Sequence, residues 1–335
     1  MFGRAQTSRL VACAAPILLA ACSAAAIAPG SIPSDRSSGR VLPPSPASGT
    51  KYYGCPNFRG GHYYVNNITS TPIDPHSANY INSVIQAGDT NGFYASTGYE
   101  MVNLANNNTP LLVVQPKVKY HQFPVRYPWA SSFYIEPLSD HHAMVVQTQT
   151  CHVYESYDTT YVSGTLSAYS GANWNLKQAF QPLSPGSPSA MASGLSLFGG
   201  LVRWEDYQSG TIGHALDWAG VAHTVAESEF VAPASDTDHL PFYGTSSYQL
   251  PYGARLRLHA SFNTSGWGPE ATMVATAMKT YGIYLADTGS SGNGIYFSNA
   301  ANGSNPWNYS DLESLGQIHI SDFDVIQLPQ VQTVH

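Results

Sequence analysis

Apolar and polar residues alternate with a period of two through most of this chain. That is the pattern of strands with one buried face. Such runs lie at 111–115, 132–135, 143–148, 152–157 and 160–165, and again at 210–216, 254–260, 282–286, 294–297 and 323–327, with Gly, Pro, Asn and Ser between them. Helical spacing is rarer. Pro269 suits a first helical position; Met273, Val274, Ala277, Met278 and Tyr281 follow on one face, and Gly282 ends the run. Ser77 is placed to cap a helix carrying Tyr80, Ile81, Val84 and Ile85, and Ser310 to Glu313 reads as a capping box. Many short strands with a few peripheral helices predict an all-β single domain over 51–335. The expected architecture is a β-sandwich, jelly-roll-like, with a barrel as the alternative. No βαβ alternation and no internal repeat is present.

The N-terminus breaks the pattern. Arg4 and Arg9 flank an apolar run of only about a dozen residues, too short to span a core of about 30 Å. Residues 1–21 therefore read as a signal peptide. Its end, Leu19-Ala20-Ala21-Cys22, resembles a bacterial lipobox, which implies lipidation of Cys22. An ordinary cleaved signal is the alternative. Residues 22–50, rich in Ala, Ser and Pro, read as a tether. The expected address is the cell envelope, at the outer membrane of a Gram-negative bacterium, since Ser23 rather than Asp follows the cysteine.

Composition narrows the partners. Charged residues make up 10% of the chain, against about 25% in a typical soluble protein. Tyr, Asn, Ser, Thr and Gly take their place, as on carbohydrate-facing surfaces. A net charge of −7 argues against nucleic acid, whose phosphates need clustered Lys and Arg. With Cys13 and Cys22 in the signal, Cys55 and Cys151 remain. In an oxidising compartment they are expected to pair; two separate buried thiols are the alternative.

Several segments together resemble a large family of secreted bacterial β-rich proteins. They are Cys55-Pro56, Pro72-Ile73-Asp74, Asp140-His141-His142, Gly213-His214-Ala215-Leu216, Arg255-Leu256-Arg257-Leu258 and Ala277 to Gly282, followed by Ala286-Asp287-Thr288-Gly289. The resemblance covers almost all of the chain after the tether. It implies an exported single domain and supplies no reaction. Two departures stand out: His141 where an Arg is usual, and Gly220-Val221-Ala222 where Trp-Pro-Ala is usual.

No nucleophile elbow, HExxH, phosphate-binding loop or dinucleotide fingerprint occurs. The candidate chemistry is general acid–base work by His214, His223, Asp287, Asp140 and His142. Alternation sets His142 with Met144 and His214 with Leu216. Arg255 and Arg257 share one strand face and are candidates for binding an acidic sugar, with Glu155 a further substrate-binding candidate. Zinc at His214 and His223 would need a third ligand recruited from Asp287 or Asp217; no metal or cofactor is expected. The partner expected is a polysaccharide or cell-envelope glycan, with the membrane reached through an N-terminal lipid. Two readings stand: a polysaccharide lyase or glycoside hydrolase, or a non-catalytic glycan-binding or structural envelope lipoprotein. If Cys22 carries the lipid, Cys22→Ser releases the protein from membranes on fractionation; unchanged membrane association rules lipidation out.

Overall fold

The period-two runs pair into sheets in the computed structural model, which describes residues 50–60, 63–118, 126–290, 292–299 and 304–334. The signal segment, Cys22 and the tether up to residue 49 lie outside the described residues. The largest sheet has six strands, in the order Phe323–Val325, Arg255–Leu258, Ile283–Gly289, Leu216–Val221, Asn293–Ser298, Phe93–Glu100. A four-stranded sheet runs Ser170–Asn175, His152–Tyr157, Ala143–Gln147, Val102–Ala105. A second four-stranded sheet runs Arg126–Pro128, Leu111–Pro116, Thr165–Ala168, Thr160–Val162.

Alternation decides how these layers stack. Met144, Val146 and Val153 join Tyr284 and Ala286 in one core, between the six-stranded sheet and the first four-stranded one. Ala143 and Val145, of opposite parity, join Val114, Tyr127 and Leu166 in a second core. Ala143–Gln147 is thus buried on both faces, and its run of apolar residues follows from that. The far face of the six-stranded sheet is covered by helices. Met273, Val274, Ala277 and Met278 of the Pro269–Thr280 helix pack on Leu216, Trp218, Leu256, Ile283 and Leu285. This helix starts with proline, as read. Its free N–H groups are held by a residue distant in sequence: Glu270 N–H donates to Asp311 Oδ2 at 2.7 Å. Gly282 then turns the chain into the next strand with φ of 74°, a conformation that glycine adopts without strain.

The all-β, sandwich-like expectation holds, but the jelly-roll order does not. Jelly rolls are antiparallel, whereas Leu216–Val221 with Ile283–Gly289, Asn293–Ser298 with Phe93–Glu100, Val102–Ala105 with Ala143–Gln147, and Leu111–Pro116 with Thr165–Ala168 all pair parallel. The run at 210–216 is a loop, and its strand begins only at Leu216. Residues 132–135 form no strand. Ser77 lies inside its helix, with His76 at the cap, and its hydroxyl accepts from Val325 N–H at 2.8 Å. Among the described residues no helix is long and apolar enough to cross a membrane.

Cys55 and Cys151 form a disulfide, with their Cα atoms 5.5 Å apart and a sequence separation of 96. It ties the first hairpin, Lys51–Tyr52 with Cys55–Pro56, to the turn that enters His152–Tyr157. Closing so long a loop removes about 4–5 kcal/mol of freedom from the unfolded chain in the entropic account. Replacing both cysteines with alanine is expected to lower unfolding free energy by about that amount. Urea unfolding of the two proteins checks this; equal midpoints and slopes contradict it.

Candidate active site

A cavity of about 510 Å³ opens at the rim between the six-stranded sheet and the first four-stranded sheet. Asp287 and Thr288 reach it from the end of Ile283–Gly289, Tyr157 from the end of His152–Tyr157, and His142 from just before Ala143–Gln147. One irregularity aims Asp287. The register of Leu216–Val221 against Ile283–Gly289 shifts between Trp218 and Ala219, pairing Trp218 with Leu285 but Ala219 with Asp287. Strict alternation from Leu285, which packs under the helices, would send residue 287 to the helical side. The extra residue, Ala286, returns Asp287 to the side of His142. A bulge of this kind re-aims a side chain.

His142 is buried and held at three points. Its backbone N–H and its Nδ1 each lie 3.1 Å from Glu136 Oε2, and Nε2 lies 3.1 Å from the Ala190 carbonyl. Both oxygens facing the ring are acceptors. Both bonds form together only when the ring carries two hydrogens, as imidazolium. Glu136 completes the clasp: its own N–H donates to the His142 carbonyl at 2.8 Å. Burial works to raise the Glu136 carboxyl, but the bonds and charge of His142 overcome it and hold the group below its usual range.

Asp287 moves the other way. Burial pushes it up to about 7, against the pull of the Thr288 N–H, the His142 charge and the Ala192 N–H. Thr288 N–H donates to Asp287 Oδ1 at 2.8 Å, and Ala192 N–H to Oδ2 at 3.3 Å. Thr288 also donates its hydroxyl to Asp238 Oδ2. One residue thus carries two carboxyl groups on the same cavity wall. The Tyr157 ring sits 5.8 Å from His142. Its hydroxyl is raised first by burial and then by Asp140 and Asp287.

Three of the five predicted acid–base residues, Asp140, His142 and Asp287, therefore line this one cavity. Asp236, Asp238 and His239 line it too and were not singled out. His239 Nε2 lies 3.3 Å from Asp236 Oδ1. The signal was present: Asp236-Thr237-Asp238-His239 is a dense acid and imidazole run in a chain with few charges. It lies in a loop, where periodicity says nothing. Among the described residues no three His, Cys, Asp or Glu groups are arranged to hold a metal ion.

The other candidates are placed elsewhere. His214 is 1% exposed. Its Nδ1 donates to the Ala215 carbonyl at 2.7 Å, which leaves Nε2 to accept from Arg203 Nη2 at 2.9 Å. Asp206 closes this buried group, accepting from the Tyr52 hydroxyl and from Arg203 N–H. His223 lies outside the cavity, its ring stacked 4.0 Å from Tyr243 and its Nδ1 donating to the Pro241 carbonyl at 2.9 Å. Arg255 spends its guanidinium on the carbonyls of Tyr281, Tyr63 and Asn66, at 2.7, 2.9 and 2.8 Å. Arg257 binds those of Ile68, Thr69 and Thr71 through Nη1, at 2.6, 3.1 and 3.0 Å. Both arginines clamp the irregular 63–71 segment, whose carbonyls lack strand partners. Glu155 is fully buried and accepts from Ser196 Oγ, Leu197 N–H and Phe198 N–H, each at 2.8 Å. It binds the N–H groups at the start of the short Leu197–Gly200 helix, which have no partner within the helix, and burial pushes it up to about 7.

His214→Ala removes an acceptor from the buried Arg203 guanidinium and leaves a hole. It is expected to lower unfolding free energy by about 2–4 kcal/mol. Chemical denaturation checks this, and unchanged stability contradicts a structural role.

No family model matches this chain, and neither a curated protein nor a solved structure matches it.

Proposed function

We propose that this chain is an exported, lipid-anchored glycan hydrolase whose working groups are Asp287 and Asp238. The observation that carries this reading is that Thr288 holds both carboxyls in one cavity while burial pushes Asp287 up to about 7. A carboxyl that keeps its proton near neutral pH can give it to a leaving oxygen, while an ionised neighbour activates water or attacks. In the hydrolytic step Asp287 protonates the glycosidic oxygen as its bond to the anomeric carbon breaks. Water adds to that carbon, and Asp238 accepts the proton that the water loses. Tyr157, Tyr169 and Tyr296 line the cavity and offer faces against which a sugar ring packs.

The charge of the cavity favours hydrolysis over elimination from a uronic acid. A lyase of that kind needs a cation for the substrate carboxylate. Arg255 and Arg257 are committed to backbone carbonyls, and the cavity carries Asp140, Asp158, Asp236, Asp238 and Asp287. Among the described residues the lining offers no Arg or Lys to a uronate carboxylate and suits neutral or amino sugars. Export and lipid anchoring rest on the sequence of residues 1–22.

The test is a screen of the purified protein on hydroxyethyl cellulose, xylan, glycol chitosan and polyuronates, reading both reducing ends and unsaturated-uronate absorbance. Reducing ends are expected from a neutral or amino polymer, with activity lost as pH rises through about 7, where Asp287 gives up its proton. Asp287→Asn and Asp238→Asn each are expected to reduce turnover by about 10²–10⁴-fold, with little change in thermal unfolding. Unsaturated products, or full activity in both variants, would sink the proposal.

A further inference from the structure

A second cavity, of about 680 Å³, adjoins the first. The two linings share Asp140, His142, Thr288 and Tyr296. Thr288, which binds both proposed reacting groups of the first lobe, therefore stands where the two lobes meet.

The lobes differ in chemistry. The first holds Asp236, Asp238 and Asp287. The second is lined by hydroxyls and aromatic rings, among them Tyr94, Ser96, Thr97, Ser139 and Tyr309. Its Glu136 carboxylate is already engaged by His142. Tyr94 is built into the floor. It pairs in register with Gly294 on the neighbouring strand, and a Cβ at Gly294 would stand 2.9 Å from the Tyr94 hydroxyl oxygen. The outer end of the ring lies over the glycine, and the residue stays 37% exposed. A flat aromatic face beside hydroxyl donors and acceptors packs well against a pyranose ring, whose C–H face is apolar and whose rim is polar.

We propose that the two lobes bind one glycan chain through its interior, with sugar units on both sides of the reacting bond. The chain is neutral or amino-bearing, and cleavage is internal. The cleavage half of this proposal rests on the hydrolase reading above. Occupancy of both lobes does not.

The experiment separates the two. Full-length Asp287→Asn protein is titrated with cello-oligosaccharides and chitosan oligosaccharides from the disaccharide upward. Affinity for at least one series is expected to rise with length until both lobes are filled. Tyr94→Ala, added to this background, is expected to remove about tenfold in affinity for long oligomers and less than about twofold for the shortest, with Tyr94→Phe restoring the gain. Gly294→Ala, which displaces the ring without altering it, should mimic Tyr94→Ala. On the active protein, polymer viscosity should fall ahead of the rise in reducing ends. Affinity independent of length, equal losses on short and long oligomers, no binding to either series, or release of single units from chain ends overturns the proposal. Length-dependent binding with no cleavage by the active protein overturns the hydrolase reading and leaves two-lobe binding standing.

Discussion

At Ala286 the central parallel pair of the six-stranded sheet carries one residue more than its partner strand, and that residue decides which way Asp287 faces. Without it, Asp287 would be driven under the helices, among Leu285, Val274 and Met278, where a carboxyl has no partner and costs several kcal/mol to bury. With it, the carboxyl emerges at the rim, within reach of the Thr288 and Ala192 N–H groups and of the His142 charge. The cavity lies between the ends of strands from two sheets. The bulge puts a proton-holding group into it.

A chain with so few charges spends several of them, deeply buried, on its own backbone. Arg203 lies over the Tyr52 ring and bonds the Phe198 carbonyl. Arg255 and Arg257 hold 63–71. Glu155 and Asp311 hold helix N-termini, and Asp206 holds Tyr52 and Arg203. The reason is common to all of them: irregular backbone buried between sheets carries N–H and C=O groups with no ladder partner, and each must be satisfied. Charged side chains reach such groups from a distance and bind several at once. Five other acids, Asp140, Asp158, Asp236, Asp238 and Asp287, line the cavity.

What was legible in the sequence follows from the range of the cause. His152–Tyr157 and the helix from Pro269 were readable because period and start signal are local. The shared parity of Arg255 and Arg257 was readable too, but their partners were not, since Tyr63 lies 192 residues from Arg255. The run at 210–216 mimics a strand because Ile212 and His214 point inward from a loop, where burial is imposed by neighbours and not by pleat. Phe93–Glu100 was missed because its Ala, Ser, Thr and Gly leave few bulky apolar residues to mark a pattern. The convergence of Asp140, His142 and Asp287 was legible only as a set of residue types. Placing them together needed the bulge, which no periodicity announces.

Burial keeps the proton on Asp287, and the charges around the cavity do not overcome it. Asp158 meets Lys117 at 2.6 Å, Asp236 meets His239, and Asp238 accepts the Thr288 hydroxyl. Of the charges acting on Asp287, that of His142 has the largest effect, and that imidazole is already bound to Glu136 at 3.1 Å. An imidazolium shared between two carboxyls can neutralise only one of them. Glu136 binds it directly, through both ring and backbone, and is held below its usual range. Asp287 receives the remainder of the field, too weak to offset its burial, and keeps its proton to about 7. The clasp on His142 and the proton on Asp287 thus draw on one imidazole, whose pull overcomes burial at Glu136 but not at Asp287.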